Sequence, residues 1–136
     1  MPFVVDASVV IARLMGEEHP GFGYELARRL DKDQWIAPAL WWFEVRNALM
    51  INEPRHRLTE EETTEHLGRL AEVPVAVDIA PDETAIMTLA RQHRLTVYDA
   101  TYLELALRER LPLATLDASL AEATRREGVA VVGDGA

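Results

Sequence analysis

One short phrase, an aspartate followed by alanine and a small hydroxyl residue, occurs three times in this chain. It stands as Asp-Ala-Ser at 6–8, Asp-Ala-Thr at 99–101 and Asp-Ala-Ser at 117–119. Apolar runs of the kind found in buried strands precede Asp6 (residues 3–5) and Asp117 (residues 113–116). A helix-like stretch follows each aspartate. The phrase therefore predicts aspartates where strands give way to helices.

The whole chain alternates between strand and helix patterns. Strands are predicted at about 3–6, 34–37, 73–79, 113–116 and 129–132. Helices are predicted at about 8–15, 20–31, 39–51, 60–71, 83–93, 100–110 and 118–126, while residues 95–98 are ambiguous. Thr59 and Glu62 have the spacing of a capping box, and Asp82 is a predicted N-cap. This order predicts one α/β domain over 1–136, with a mostly parallel sheet between two helical layers.

Composition excludes several classes of protein. The chain has no cysteine, which excludes disulfides and thiolate metal sites, and its single lysine, Lys32, lies in a predicted loop. Schiff-base chemistry and a phosphate-binding lysine loop are therefore not expected. A strand that begins at residue 3 leaves no room for a signal peptide, and no apolar run approaches the length of a membrane span. A soluble cytoplasmic protein, without a membrane partner, is expected.

The predicted topology gathers acidic residues. Carboxyl ends of parallel strands share one edge of a sheet, so Asp6, Asp99 and Asp117 are expected to converge there. Glu44 is a fourth candidate, because it lies in an apolar helix where a carboxylate is costly to bury without a partner. Asn47, one turn on, shares its face. Two alternatives stay open: each aspartate caps its helix, and Glu44 belongs to a solvated stripe.

Carboxylates at one edge repel each other unless a cation joins them. Oxygen ligands with waters suit Mg²⁺ or Mn²⁺. Zinc is not expected, because the histidines lie away from the acidic positions and are predicted to be surface residues; they are His19, His56, His66 and His93. Such a metal neutralises a phosphodiester and holds a water nucleophile, which points to phosphodiester hydrolysis. The net charge of −9 argues against nucleic-acid binding. It is an average over the whole chain, however, and the arginines are clustered.

These residues resemble the PIN-domain ribonucleases, and specifically the VapC-type toxins of toxin–antitoxin pairs. The resemblance spans nearly the whole chain and rests on four motifs in order: Val-Val-Asp6-Ala-Ser8, Phe-Glu44-Val-Arg-Asn47-Ala-Leu, Tyr98-Asp99-Ala-Thr-Tyr-Leu-Glu-Leu-Ala and Leu-Ala-Thr115-Leu-Asp117. It implies a PIN α/β/α sandwich with a five-stranded parallel sheet.

The resemblance also implies an activity, a site and partners. The activity is a Mg²⁺- or Mn²⁺-dependent endoribonuclease, often acting on structured RNA such as tRNA. Asp6, Glu44, Asp99 and Asp117 would form the catalytic, metal-binding quartet, with Ser8, Asn47 and Thr115 as supporting polar groups. The family forms homodimers and is inhibited by a VapB-type antitoxin. Trp41, Trp42 and Phe43 could contribute to that dimer interface or fill the core.

Two other interpretations fit less well. A non-catalytic binding module with an adhesion-type metal site also places Asp-x-Ser after the first strand, but it prefers a serine where Val10 stands. A phosphoacceptor receiver domain requires a lysine late in the chain, and none is present there. Incubation with Mn²⁺ and mixed RNA separates the nuclease from the binding module, because only a nuclease cuts.

Overall fold

The computed structural model describes residues 1–17 and 19–134. Within these residues it has four strands: β1 (Phe3–Val5), β2 (Trp35–Pro38), β3 (Val75–Asp78) and β4 (Leu113–Ala114). Seven helices connect and follow them: α1 (Ala7–Met15), α2 (Tyr24–Lys32), α3 (Leu40–Asn52), α4 (Glu60–Ala71), α5 (Glu83–His93), α6 (Val97–Glu109) and α7 (Ala118–Arg126). The predicted α/β fold is confirmed.

The strands form one parallel sheet in the order β3-β2-β1-β4. Val4 of β1 pairs with Ile36 on one side and with Leu113 on the other. Crossovers between parallel strands are right-handed, so α1 to α4 lie on one face and the β3-to-β4 crossover through α5 and α6 lies on the other. Contacts between α1 and α3, and between α5 and α6, agree with this three-layer arrangement.

The core lies around β1 and α6. All three residues of β1 are fully buried, and α6 is buried continuously from Ala100 to Ala106. A helix buried on all sides must be covered by several elements, and α6 contacts β1, β2, β4, α5 and α7. In residues 1–17 and 19–134, no helix combines the length and apolarity needed to cross a membrane.

The structure differs from the predicted strands at one place and resolves an ambiguity at another. The fifth strand, expected at 129–132, is reduced to a single bridge between Leu113 and Val131. Its pairing partner β4 has only two residues, so little strand is available to extend the ladder. The ambiguous segment 95–98 is not a strand, because Thr96 accepts a hydrogen bond from the Asp99 amide and starts α6 at Val97. Asp99 therefore lies in the first turn of a helix.

Local capping follows the sequence closely. The capping box at Thr59 and Glu62 is present, with a hydrogen bond in each direction. Asp82 caps α5 by accepting a hydrogen bond from the Ala85 amide at 3.0 Å. These caps depend on side chains only three residues apart, which explains why sequence predicts them well.

A cluster of charged side chains, here called the Arg108 network (Asp78, Glu104 and Arg108), joins β3 to α6. Arg108 donates to both oxygens of Asp78 at 3.0 and 2.8 Å, and to both oxygens of Glu104 at 2.7 and 3.1 Å. Glu104 also accepts from the Asp82 amide at 3.1 Å, and its side chain is only 3% exposed. The network connects the end of the edge strand to the central helix.

Candidate functional site

Asp6 follows β1 at the carboxyl edge of the sheet and is 5% exposed. It has the N-cap position of α1, yet its side chain does not cap that helix. Its Oδ2 instead accepts hydrogen bonds from the Ser8 and Thr115 hydroxyls, both at 2.7 Å. Burial raises the pKa of Asp6, and the two hydroxyls partly oppose that rise. Helix capping, the alternative function considered for this residue, is therefore wrong for Asp6.

The two hydroxyls around Asp6 also fix the chain after β4. Ser8 Oγ accepts from the Leu116 amide at 3.0 Å, and Thr115 Oγ1 accepts from the Asp117 amide at 3.0 Å. Each hydroxyl thus donates to the carboxylate and accepts from the backbone, which uses both capacities of the group. These hydrogen bonds join the carboxyl ends of β1 and β4. The connections that follow these two neighbouring strands run in opposite directions across the sheet, and α/β sheets bind ligands at such a point.

Glu44 reaches the same edge from α3. It is half-buried, and its Oε1 accepts a hydrogen bond from the Tyr102 hydroxyl at 2.6 Å. Burial raises the pKa of Glu44, with a further rise from the charge of Asp6. Glu44 therefore does not belong to a solvated stripe.

Tyr102 is a site residue that the sequence reasoning missed. It is fully buried in α6, one turn beyond Asp99. Burial raises the pKa of the Tyr102 hydroxyl far above its usual range, so this group remains a hydrogen-bond donor at all working pH values. A tyrosine one turn beyond Asp99 was the available signal, but its acceptor in α3 is 58 residues away in the sequence and depends on the tertiary fold.

Asp99 shows that the acidic side chains act on one another. Burial raises the pKa of Asp99 to about 6, and the remaining causes are all negative charges. These charges belong, in order of effect, to Asp117, Asp6 and Glu44. The structure thus brings the four predicted carboxylates within electrostatic reach of one another, from the starts of α1 and α7 and from within α3 and α6.

Asp117 and Asn47 lie at the exposed margin of this group. Asp117 is exposed and caps α7, accepting from the Leu120 amide at 2.8 Å, so capping is part of its structural role. Asn47 is exposed on α3, and its side chain makes no hydrogen bond to Glu44 or to any other residue in the described part of the chain. Asn47 therefore shares a face of α3 with Glu44, as predicted, without bonding to it.

Among residues 1–17 and 19–134, no histidine, arginine or other basic group forms an ion pair with any of the four carboxylates of the acidic group. His93 was expected at the surface, but its side chain is 5% exposed and contacts Glu127 at 2.6 Å, because α5 and α7 enclose it. Within those residues, no protein cation balances the negative charge that the fold gathers here.

The donor chemistry fits a hard divalent cation, although the carboxylates are not closed into a cage. In the described part of the chain, no three histidine, aspartate or glutamate side chains form a ready ligand set. Burial raises the pKa values of Asp6 and Asp99, and the charge of Asp117 raises both further. Mg²⁺ commonly uses only one or two carboxylates together with waters and phosphate oxygens, so these residues suit it.

A family model for the PIN domain matches residues 3–126 of this chain. The chain belongs to the PIN-domain family. Across 90% of its length it is 33% identical to the protein named Ribonuclease VapC3 of Pyrobaculum aerophilum, covering 94% of that protein. The recognition of a VapC-type PIN domain from the four sequence motifs is confirmed.

Solved structures show the same PIN fold at lower identity. A crystal structure of a Pyrobaculum aerophilum protein superposes with a TM-score of 0.71 at 23% identity, over 90% of this chain and 84% of that one. The complex VapBC2 from Rickettsia felis, solved with a DNA fragment from its promoter, gives 0.65 at 11% identity, over 96% and 97%. These likenesses show that the chain shares the architecture of those structures.

Proposed function

We propose that this PIN domain, a single unit over 1–136, is a metal-dependent endoribonuclease and the toxin of a VapBC-type pair. The observation that carries the proposal is the group of four carboxylates from separate elements, which no basic side chain in the described residues neutralises. Its similarity to a protein named a ribonuclease supports RNA as the substrate class. Structured RNA such as tRNA is the substrate we expect from the family resemblance.

In this proposal Asp6 and Asp99 hold the main metal, Mg²⁺ or Mn²⁺, while Glu44 and Asp117 orient metal and water. The bound ion would offset the charge that a phosphodiester gains and lower the pKa of a water nucleophile. Ser8 and Thr115 keep the Asp6 carboxylate in place through Oδ2. Asn47, exposed beside Glu44, is available to bind substrate or a bound water.

Substitution of the aspartates tests this assignment. Asp6→Asn and Asp99→Asn should abolish Mn²⁺-dependent cleavage of a mixed RNA pool, because a neutral amide binds a hard cation poorly. Asp117→Asn has a matched control in Asp82→Asn: both aspartates cap a helix, and asparagine caps equally well. Of these two variants, only Asp117→Asn should lose activity.

If Asp6→Asn protein cuts RNA as fast as the parent with Mg²⁺ present, the site assignment is wrong. A parent protein that binds Mn²⁺ and cuts no RNA would instead favour the non-catalytic binding module. One observation argues against that module. Its pattern prefers a further serine at position 10, but the residue there is Val10, a core residue at 1% exposure. Mapping cleavage ends in total RNA after induction would identify the RNA and the bond.

A VapB-type antitoxin and a second copy of this chain are the proposed protein partners, in the cytoplasm. For the antitoxin, the acidic edge is complementary to an arginine, which pairs bidentately with carboxylates. For the second copy, α3 exposes apolar residues away from its buried face: Trp42 and Phe43 are 49% and 67% exposed, whereas Trp41 fills the core at 4%. Exposed aromatic residues of this size are typical of interfaces.

A further inference from the structure

Tyr102 joins the two helices that supply Glu44 and Asp99. Its side chain is completely buried in α6, and its hydroxyl donates to Glu44 Oε1 at 2.6 Å across 58 residues of sequence. Asp99 lies three residues earlier in the same helix. The tyrosine therefore connects Glu44 to the helix that carries Asp99.

Packing alone does not require this hydroxyl. A phenylalanine would fill the same volume, and a buried phenol adds a polar group that must find an acceptor. Here the acceptor is a half-buried carboxylate whose pKa burial already raises. The contact engages only Oε1, and a carboxylate has acceptor capacity on both oxygens, so Oε2 can still serve a cation or a water.

We infer that Tyr102 is a positioning residue, whose hydroxyl orients the Glu44 carboxylate for its part in metal and water binding. The inference rests on the proposed function, since it acts through Glu44. Groups that hold a metal-binding carboxylate by a hydrogen bond typically change metal affinity or activity about 10–100-fold when removed. Without the hydroxyl, the Glu44 side chain can turn about its own torsions, and metal binding must then include the cost of ordering it.

The test is Mn²⁺ affinity, measured by electron paramagnetic resonance on protein without RNA. Tyr102→Phe should weaken Mn²⁺ binding about 10-fold or more, while the variant keeps its circular dichroism spectrum and cooperative unfolding. Tyr98→Phe is the matched control, because Tyr98 lies one turn earlier in α6 and is 62% exposed. Its Mn²⁺ affinity should equal that of the parent.

A second comparison separates positioning from a general loss of structure. In a Glu44→Ala background, Tyr102→Phe should cause no further loss of Mn²⁺ affinity, since the group it orients is gone. If the two losses multiply instead, Tyr102 acts on the whole fold and the inference is wrong. It is also wrong if Glu44→Ala weakens binding while Tyr102→Phe does not. If Glu44→Ala itself has no effect, the role proposed for Glu44 fails, and the inference fails with it.

Discussion

Replacing Arg108 by leucine should destabilise the protein more than any surface charge change. Leucine keeps apolar volume in place of the aliphatic part of the arginine side chain. It removes the four hydrogen bonds that Arg108 makes to Asp78 and Glu104. Glu104, 3% exposed, would remain as a buried carboxylate with the Asp82 amide as its remaining donor. Breaking a buried ion pair costs about 3–5 kcal/mol.

The lower end of that range is expected here, because the Arg108 side chain is itself 31% exposed and is partly solvated. A loss of about 3 kcal/mol corresponds to a fall in melting temperature of roughly 10 °C for a domain of this size. Arg126→Leu is the control. Arg126 pairs with Glu122 at the surface, where both side chains are more than half exposed, and such pairs contribute at most about 1 kcal/mol.

The effect of Arg108→Leu should also depend on pH. Hydrogen bonds from Arg108 lower the pKa of Asp78, so ionised Asp78 stabilises the native state. That contribution is complete above about pH 4, where an unfolded aspartate titrates, and it is lost as the pH falls through the lower native pKa. The difference in the free energy of unfolding between parent and variant should therefore become smaller below about pH 4. A variant that melts within about 2 °C of its parent at neutral pH would refute the reasoning.

Three further results are expected. Millimolar Mn²⁺ should raise the melting temperature, since a ligand at about 100 times its dissociation constant adds about 2.7 kcal/mol to the stability. Asp99→Asn should weaken this rise, but in the absence of metal the variant should melt a few degrees above the parent, because repulsion from three carboxylates is gone. Light scattering should give a dimer that Trp42→Ser with Phe43→Ser converts to monomer; a parent that is a monomer at micromolar concentration would contradict the proposed interface. Substituting each arginine in the antitoxin's C-terminal tail should release RNA cleavage at one position, and full inhibition by every variant would exclude an arginine in the acidic edge.

Sequence predicts this fold well where the signal is local. The cap of α5 at Asp82 and the capping box of α4 depend on neighbours three residues apart, and both are present. The segment 95–98 stayed ambiguous in the sequence, because its apolar residues fit a strand as well as the start of a helix that Thr96 caps. Prediction failed at the fifth strand, whose length depends on how far β4 extends rather than on its own residues.

The candidate site was predictable as a set of acidic positions but not as a set of contacts. Parallel topology alone brings Asp6 and Asp117 to one edge, so repeated motifs after apolar runs were sufficient to find them. The bond from Tyr102 to Glu44 spans 58 residues, and no periodicity encodes it. Likewise, three consecutive aromatic residues in α3 gave no indication that Trp41 would be buried and that Trp42 and Phe43 would be exposed.

The central position of β1 has a consequence for synthesis of the protein. Asp6 is made early, yet the hydroxyl of Thr115 that holds it comes 109 residues later, and the neighbouring Asp117 follows that. At about 5–20 residues per second, the acidic edge stays incomplete for roughly 5–20 s after Asp6 is translated. A nascent chain therefore lacks the assembled edge until Asp117 has been made, so any nuclease activity of this edge begins only after nearly the whole domain has been translated.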